Sequence, residues 1–284
     1  MISPGALARV ACVLEATARK PGNVHRFRDF EGDATYLDFL LSAGAIVGPM
    51  DRASGIGIGR AILEAVEETR RVVASNTNLG MVLLLAPLCA VEAGRALREG
   101  VAEVLGRTTV ADASVVYRAI RLARPGGLGR SPEGQDVADE PTGTLQDVMR
   151  LAEGRDLVAR QYARSYIDVF ECLAALRSAL DAGRPLETAI IAAFLDLLAR
   201  RPDTLIVRKR GEALAAEASS RAAAVLASGW PEDSAPLGAF DAWLRLDGHC
   251  RNPGASADVV TAALFAGLRD GTIPLPLPGP WSAP

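Results

Sequence analysis

"VVASNTNLGMVLLLAPL" (residues 72–88) decides how the rest of the chain is read. Its second half runs on into the most apolar stretch of the sequence, "MVLLLAPLCAV" (81–91). A membrane-spanning helix needs about 20 apolar residues, and this run is much shorter. It is expected as a helix buried in a protein core, bent where Pro87 lacks a backbone donor. The first half poses a different problem. Asn76, Thr77 and Asn78 place neutral hydrogen-bonding side chains just before that helix. Capping accounts for one of them. Left unsatisfied, each of the others costs about 1–3 kcal/mol, so a neighbouring loop or a ligand has to meet them.

Outward from this stretch, helical periodicity dominates. Ile58, Ile62, Val66 and Val73 run down one side of 57–75, with Glu64, Glu67, Glu68, Arg70 and Arg71 mostly elsewhere. Similar patterns predict helices over about 5–18, 34–47, 79–99, 109–123, 143–152, 155–182, 186–200, 210–228, 236–249 and 255–269. Asp33, Thr109 and Ser256 are the expected N-caps. "TLIV" (204–207) is the one short extended candidate. The expected fold class is all-α. It is read as one large multi-helix domain over 1–272 whose helix-junction loops form a central pocket, followed by a Pro-rich tail over 273–284. The segment 124–142, rich in Gly, Pro and acids, is expected as a long loop or lid.

Composition narrows the function. The chain has 284 residues, 49% hydrophobic and 23% charged, which excludes disorder. A net charge of −3 gives no bulk attraction to nucleic acid or to an anionic membrane. The four cysteines form no CxxC pair, and the two histidines, His25 and His249, are too few for a His-rich metal site. The N-terminus reads as an ordinary helix, and a reducing cytoplasmic setting is expected.

Glycine-bearing polar loops recur at the helix junctions: "RKPGNVHRFRD" (19–29), "SNTNLG" (75–80), "RPGGLG" (124–129), "VRKRG" (207–211) and "RNPGASAD" (251–258). A helix start offers free N–H groups and a positive dipole to an anion, and glycine lets the backbone come close. Lys20, Arg26, Arg208, Lys209, Arg210 and Arg251 add positive charge, so one shared phosphate-rich pocket is expected. No GxxxxGK[ST] motif is present, and "GIGIGR" (55–60) follows no strand, so the standard nucleotide folds are not indicated. The acids Asp29, Asp33, Asp136, Asp156 and Asp168 are candidates for base or magnesium work. Asp156, Arg160, Arg164 and Asp168 recur every four residues, as a charged helical stripe does. His25 sits in the densest polar loop and is a site candidate; His249 reads as structural. Singly, each loop is also an ordinary turn or cap.

Taken in order, "EATARKPGNVHR", "SNTNLG", "RPGGLG", "RKRG" and "NPGASADVVTAALF" resemble the triphosphoribosyl-dephospho-CoA synthase family from Glu15 to about Leu268. The resemblance implies an all-helical transferase that uses ATP as sugar donor. The 2′-hydroxyl of dephospho-CoA attacks C1′ of the ribose and adenine leaves, with magnesium on the triphosphate. The family's proline-lysine-proline-glycine segment matches Lys20, Pro21 and Gly22. The acid of its histidine-x-aspartate-methionine segment falls near Asp33. Its asparagine-threonine-histidine-x-glycine loop matches Asn76, Thr77 and Gly80, and its late asparagine-proline-glycine segment matches Asn252, Pro253 and Gly254, followed by Ala257 and Asp258. Asn78 stands in place of a histidine, and "GDAT" (32–35) lacks the histidine and methionine; both departures resemble a divergent branch found in archaea and one-carbon-metabolising bacteria.

On this resemblance Asp29, Asp33 and His25 are the catalytic candidates, and Asp33 and Asp136 the magnesium candidates. Lys20, Arg26, Arg208 and Lys209 are expected to grip phosphates, and Asn76 and Asn78 to orient ribose or purine. Gly22, Asn23, Thr77, Gly80, Gly127, Asn252 and Gly254 complete the expected nucleotide-binding set. A homodimer is the base-rate expectation. A pterin-pathway acceptor, a non-catalytic nucleotide or CoA binder, and a helical scaffold stay open as alternatives.

Overall fold

The computed structural model describes residues 2–126, 135–277 and 281. Among them every named element is a helix, so the fold class is all-α, as expected. The chain divides into two compact units. One comprises residues 1–13 and 37–167, the other 14–36 and 168–284; the first helix, α1 (Pro4–Thr17), gives its start to one and its end to the other.

The first unit holds α2 (Tyr36–Ala45) beyond its first residue, α3 (Val47–Ile56), α4 (Ile58–Val72), α5 (Leu79–Cys89), α6 (Leu97–Gly106), α7 (Val110–Ala123), α8 (Leu145–Ala152) and α9 (Leu157–Ala163). Its core is α5, whose residues are all buried except Gly80. α3, α4, α6 and α9 pack on α5, and α7 lies along α4. The predicted stripe of α4 is buried, including Ile58, Ile62 and Val66. Gly59 marks the α4–α7 crossing: a Cβ there would stand 3.0 Å from the Asp112 Cα. That requirement for a small residue accounts for Gly59, and the positive φ of Gly57 (83°) for a second glycine of "GIGIGR", with no dinucleotide invoked. α7 starts with the expected Thr109 cap, reciprocated by Asp112.

Pro87 lies inside α5 and cannot donate to the Leu83 carbonyl one turn back. The Tyr162 hydroxyl donates to that carbonyl at 2.6 Å, and the Tyr166 hydroxyl donates to Leu84 O at 3.0 Å. Both tyrosines are fully buried, and burial raises both pKa values, so they are permanent donors here.

The second unit contains α10 (Ile167–Asp181) from Asp168 on, α11 (Leu186–Arg200), α12 (Thr204–Arg210), α13 (Glu212–Ala227), α14 (Ala235–Leu244) and α15 (Gly254–Asp270). α11 packs on α13 and α15, α12 on α13 and α15, and α13 on α14.

Several boundaries differ from expectation. "TLIV" opens α12 and is not extended, because the buried Asp203 carboxylate accepts from the N–H groups of Leu205 (2.8 Å) and Ile206 (3.1 Å). The stretch 155–182 is two helices, broken at Ser165 (φ 48°) and Tyr166 (φ 63°). The charged stripe therefore does not exist as one face. Asp156 caps α9 through Val158 and Ala159, and Asp168 is a buried partner of Arg201 at 3.0 Å. The stretch 79–99 ends as helix at Cys89 and resumes at Leu97, with Gly94 at φ 81° between. Asp33 and Ser256 do not cap: Asp29 Oδ1 accepts from the Tyr36 N–H at 2.6 Å, and α15 is capped from outside by Asp203.

Candidate functional site

In the second unit three of the predicted loops come together. Gly22, at φ 75°, donates its N–H to Asp241 Oδ1 at 2.7 Å. A Cβ on Gly22 would stand 2.8 Å from the Leu244 Cβ and 3.1 Å from the Pro253 Cδ, so only glycine lets "KPGN" rest on "RNPG". Arg210, ending "RKR", donates to Asp247 Oδ2 at 2.9 Å. Asp203, fully buried, accepts from both the backbone N–H (2.7 Å) and the hydroxyl (2.8 Å) of Ser256, tying the start of α15 to the start of α12.

Between α14 and α15 the chain makes an unusual turn. Asp247 (φ 61°), Gly248 (φ 60°) and His249 (φ 65°) are consecutive left-handed residues. For the two that carry a Cβ this costs roughly 1–2 kcal/mol each. The turn is held from outside. Asp247 receives Arg210 and, at 2.6 Å, Arg251, while the His249 ring stacks on Phe30 with centroids 4.1 Å apart.

The same segment leaves polar atoms without partners. Arg245 Nη1, His249 Nδ1, Arg251 Nε and Asn252 Oδ1 are buried with no hydrogen bond among the described residues. The rest of each arginine is well held. Arg245 Nε binds both Asp241 oxygens at 2.9 Å and its Nη2 donates to Asn23 O at 2.7 Å; Arg251 lies over the Trp243 ring at 4.7 Å. Native interiors leave few such atoms, because each costs about 1–3 kcal/mol. A cluster within eight residues, on strained backbone, makes this segment the candidate ligand site. Two of the groups are guanidinium donors and one is an amide acceptor, which suits a phosphorylated sugar or nucleotide. Burial, reinforced by Arg245, lowers the pKa of His249.

The loop 19–29 lies beside it. Glu187 of α11, buried, accepts from Arg26 Nη1 (2.6 Å) and Nη2 (3.1 Å) and from Arg19 Nε (3.0 Å). Burial alone would raise its pKa, but these bonds lower it. His25 Nδ1 accepts the Phe27 N–H at 3.3 Å, so in this arrangement the ring carries its proton on Nε2. Burial and the Arg245 charge bring its pKa down to about 4.

The predicted residues fare differently. Lys20 is fully buried and its ammonium is spent inside the protein: on the Glu15 carboxylate at 2.8 Å, on Glu15 O, and on Ala18 O at 3.4 Å. Burial raises the pKa of Glu15 and Lys20 offsets this only in part. Gly22, Asn23, His25, Arg26, Asn252 and Gly254 lie around the clustered orphan atoms or in the loop against them. Asp29 and Asp33 are exposed in the turn that carries Phe30, Asp29 with one oxygen capping α2. Arg208 and Lys209 end α12, where cations favour the helix dipole in any case.

Asn76, Thr77, Asn78, Gly80 and Asp136 belong to the first unit. There Asn76 Oδ1 accepts the Leu79 N–H at 3.2 Å, Thr77 shares a 2.6 Å hydroxyl contact with Ser42, and Asn78 Nδ2 donates to Thr69 Oγ1 at 3.0 Å. The amides before the apolar helix are thus met by neighbours. Asp136 Oδ1 accepts from Ala138 at 2.8 Å. Gly127 lies outside the described residues. The sequence does not single out Arg245, Glu187 or Asp203 and reads His249 as structural; nothing in spacing flags a charge that a fold will bury.

Fold and site define an all-α protein whose candidate site gathers arginine donors and an amide acceptor on one segment. A family model described as ATP:dephospho-CoA triphosphoribosyl transferase matches residues 2–274. A crystal structure from Archaeoglobus fulgidus, described as a candidate triphosphoribosyl-dephospho-CoA synthase, superposes with a TM-score of 0.66 at 26% identity, covering 82% of this chain and 99% of that one. No curated protein matches. The chain belongs to the ATP:dephospho-CoA triphosphoribosyl transferase family and is a transferase of coenzyme biosynthesis, as the order of its five loops led us to expect.

Proposed function

We propose that this chain carries out the family's reaction and that the segment Arg245–Asn252, with the loop Asn23–Arg26, binds the phosphorylated substrate. The 2′-hydroxyl of dephospho-CoA forms a bond to C1′ of the ATP ribose while the C1′–N9 bond breaks. The hydroxyl proton ends on the departing adenine, so the two products are the O-linked triphosphoribosyl glycoside of dephospho-CoA and neutral adenine. The transition state has oxocarbenium character, as in glycoside chemistry, and profits from a nearby carboxylate. Asp33 and Asp29, exposed with Glu31 in the adjoining turn, are proposed for that role. Arg245 Nη1 and Arg251 Nε supply fixed donors for phosphate oxygens, and Asn252 Oδ1 accepts from a sugar hydroxyl or a base amino group. His25, neutral at pH 7 with its Nε2–H as donor in this tautomer, adds no charge at the reacting carbon.

Magnesium enters this reading with ATP. Among the described residues no group of three or more His, Cys, Asp or Glu side chains could hold a metal. Magnesium keeps much of its water shell, so an ion carried on triphosphate oxygens needs little from the protein, and Asp33 is proposed as its single contact. A cytoplasmic setting fits the free cysteines Cys12, Cys89, Cys172 and Cys250, and among the described residues no helix is long and apolar enough to cross a membrane.

The orphaned polar atoms of residues 245–252 carry this reading. It is tested by incubating the protein with ATP, magnesium and dephospho-CoA, or a pterin-pathway acceptor, and following free adenine. Adenine release that falls at least about tenfold in Arg251→Lys and Asn252→Ala, with helicity unchanged, is expected. No release with any acceptor, or full activity in both variants, would overturn it.

A further inference from the structure

Phe27 is the most exposed large apolar side chain among the described residues, at 69%. Its place is not a flexible loop tip. His25 and Arg28 pair across it, His25 N–H to Arg28 O at 2.9 Å and Arg28 N–H to His25 O at 2.7 Å. Its own N–H is bound by His25 Nδ1. The Arg26 guanidinium lies over the ring, 4.6 Å from its centroid. Arg26 in turn is fixed by Thr17 O at 2.7 Å and by both oxygens of the buried Glu187. Several hydrogen bonds and a buried carboxylate are therefore spent on holding one exposed ring still. Water gives no return for that arrangement, whereas a flat ligand does.

The surroundings say which ligand. The backbone carbonyl of Asn23, four residues before Phe27, receives Arg245 Nη2, and the other terminal nitrogen of that arginine is one of the orphaned donors. A group that seeks a π-face thus sits in the same loop as a contact of the anion-binding segment. The ligand class offering both is a nucleotide, and in the reaction proposed above its base is adenine. We propose that Phe27, backed by Arg26, is the stacking platform for the adenine of a substrate. It makes Phe27 a substrate-binding residue of the reaction proposed above and rests on that reading. Adenine occurs in both ATP and dephospho-CoA, so the two sources are separated by experiment.

The test measures binding of magnesium-ATP, dephospho-CoA and magnesium tripolyphosphate, each alone, to the full chain and to its Phe27→Ala and Phe27→Trp variants. Phe27→Ala is expected to weaken one of the two adenine-bearing ligands about tenfold. Which one it weakens identifies the source. Tripolyphosphate, which has no base, should change less than about twofold, and Phe27→Trp should keep near-native affinity for the adenine ligand. Equal weakening of all three probes, or of none, would overturn the platform. A native protein that binds the adenine ligands but releases no adenine would instead overturn the reaction and leave the platform standing.

Discussion

Glu187 shows how much a single residue can organise. One buried carboxylate positions Arg19 and Arg26, and through Arg26 the exposed ring of Phe27. Nothing in "RPLETAI" marks it, because in sequence it is an ordinary acid in a first helical turn. His25 was legible as a site candidate from its polar loop, but its protonation was not. Burial, Arg245, Lys20 and Arg26 lower its pKa from 6.5 to about 4, against the opposing charge of Asp241. The unfolded chain therefore binds a proton that the folded one refuses between about pH 6.5 and pH 4. Stability from this group is complete above that window and is lost as the pH falls through it. His249, also lowered, acts in the same sense. In His25→Gln the fall in melting temperature between pH 7 and pH 4 should be shallower than in the native protein; an identical pH slope would show that the lowered pKa is not real.

At the scale of the element, α5 and its tyrosines show a helix completed from outside. Pro87 leaves the Leu83 carbonyl without its helical donor, and Tyr162 fills the gap at 2.6 Å. Tyr162→Phe should cost about 1–3 kcal/mol by urea unfolding, because it strands a buried carbonyl. In a Pro87→Ala background the restored backbone N–H can take that carbonyl, so the same change should cost clearly less; equal costs in the two backgrounds would refute the coupling. The boldest sequence inference, that "MVLLLAPL" is a core helix, holds because apolarity over a known length is a local property. The single long helix over 155–182 does not. Its break lies where Tyr166 takes a left-handed backbone and its hydroxyl reaches Leu84 O, a partner far away in sequence. The helical state of 204–207 likewise depends on Asp203, whose burial and tie to Ser256 the local pattern does not contain.

For the whole molecule, ligand linkage is the direct expectation. A site that binds nucleotide only when folded adds RT ln(1 + [L]/Kd), about 2.7 kcal/mol at a hundredfold excess over Kd. Magnesium-ATP should therefore raise the melting temperature, and Arg245→Ala should abolish most of that rise; a native protein indifferent to every nucleotide and CoA precursor tested would contradict the site. The sequence by itself determined the fold class, the apolar core helix, most helix spans and the family, because periodicity and the order of short motifs are written along one chain. Only the tertiary structure decided which charges are spent and which are left open. Lys20 reads as a phosphate ligand but is consumed by Glu15, Asn76–Asn78 are answered by Thr69, Ser42 and a helix N–H, and Arg245, Arg251 and Asn252 keep unpaired atoms. The physical reason is that the availability of a polar group depends on desolvation and on its nearest partners. Those partners lie up to hundreds of residues apart in the chain, as Asn23 and Arg245 do.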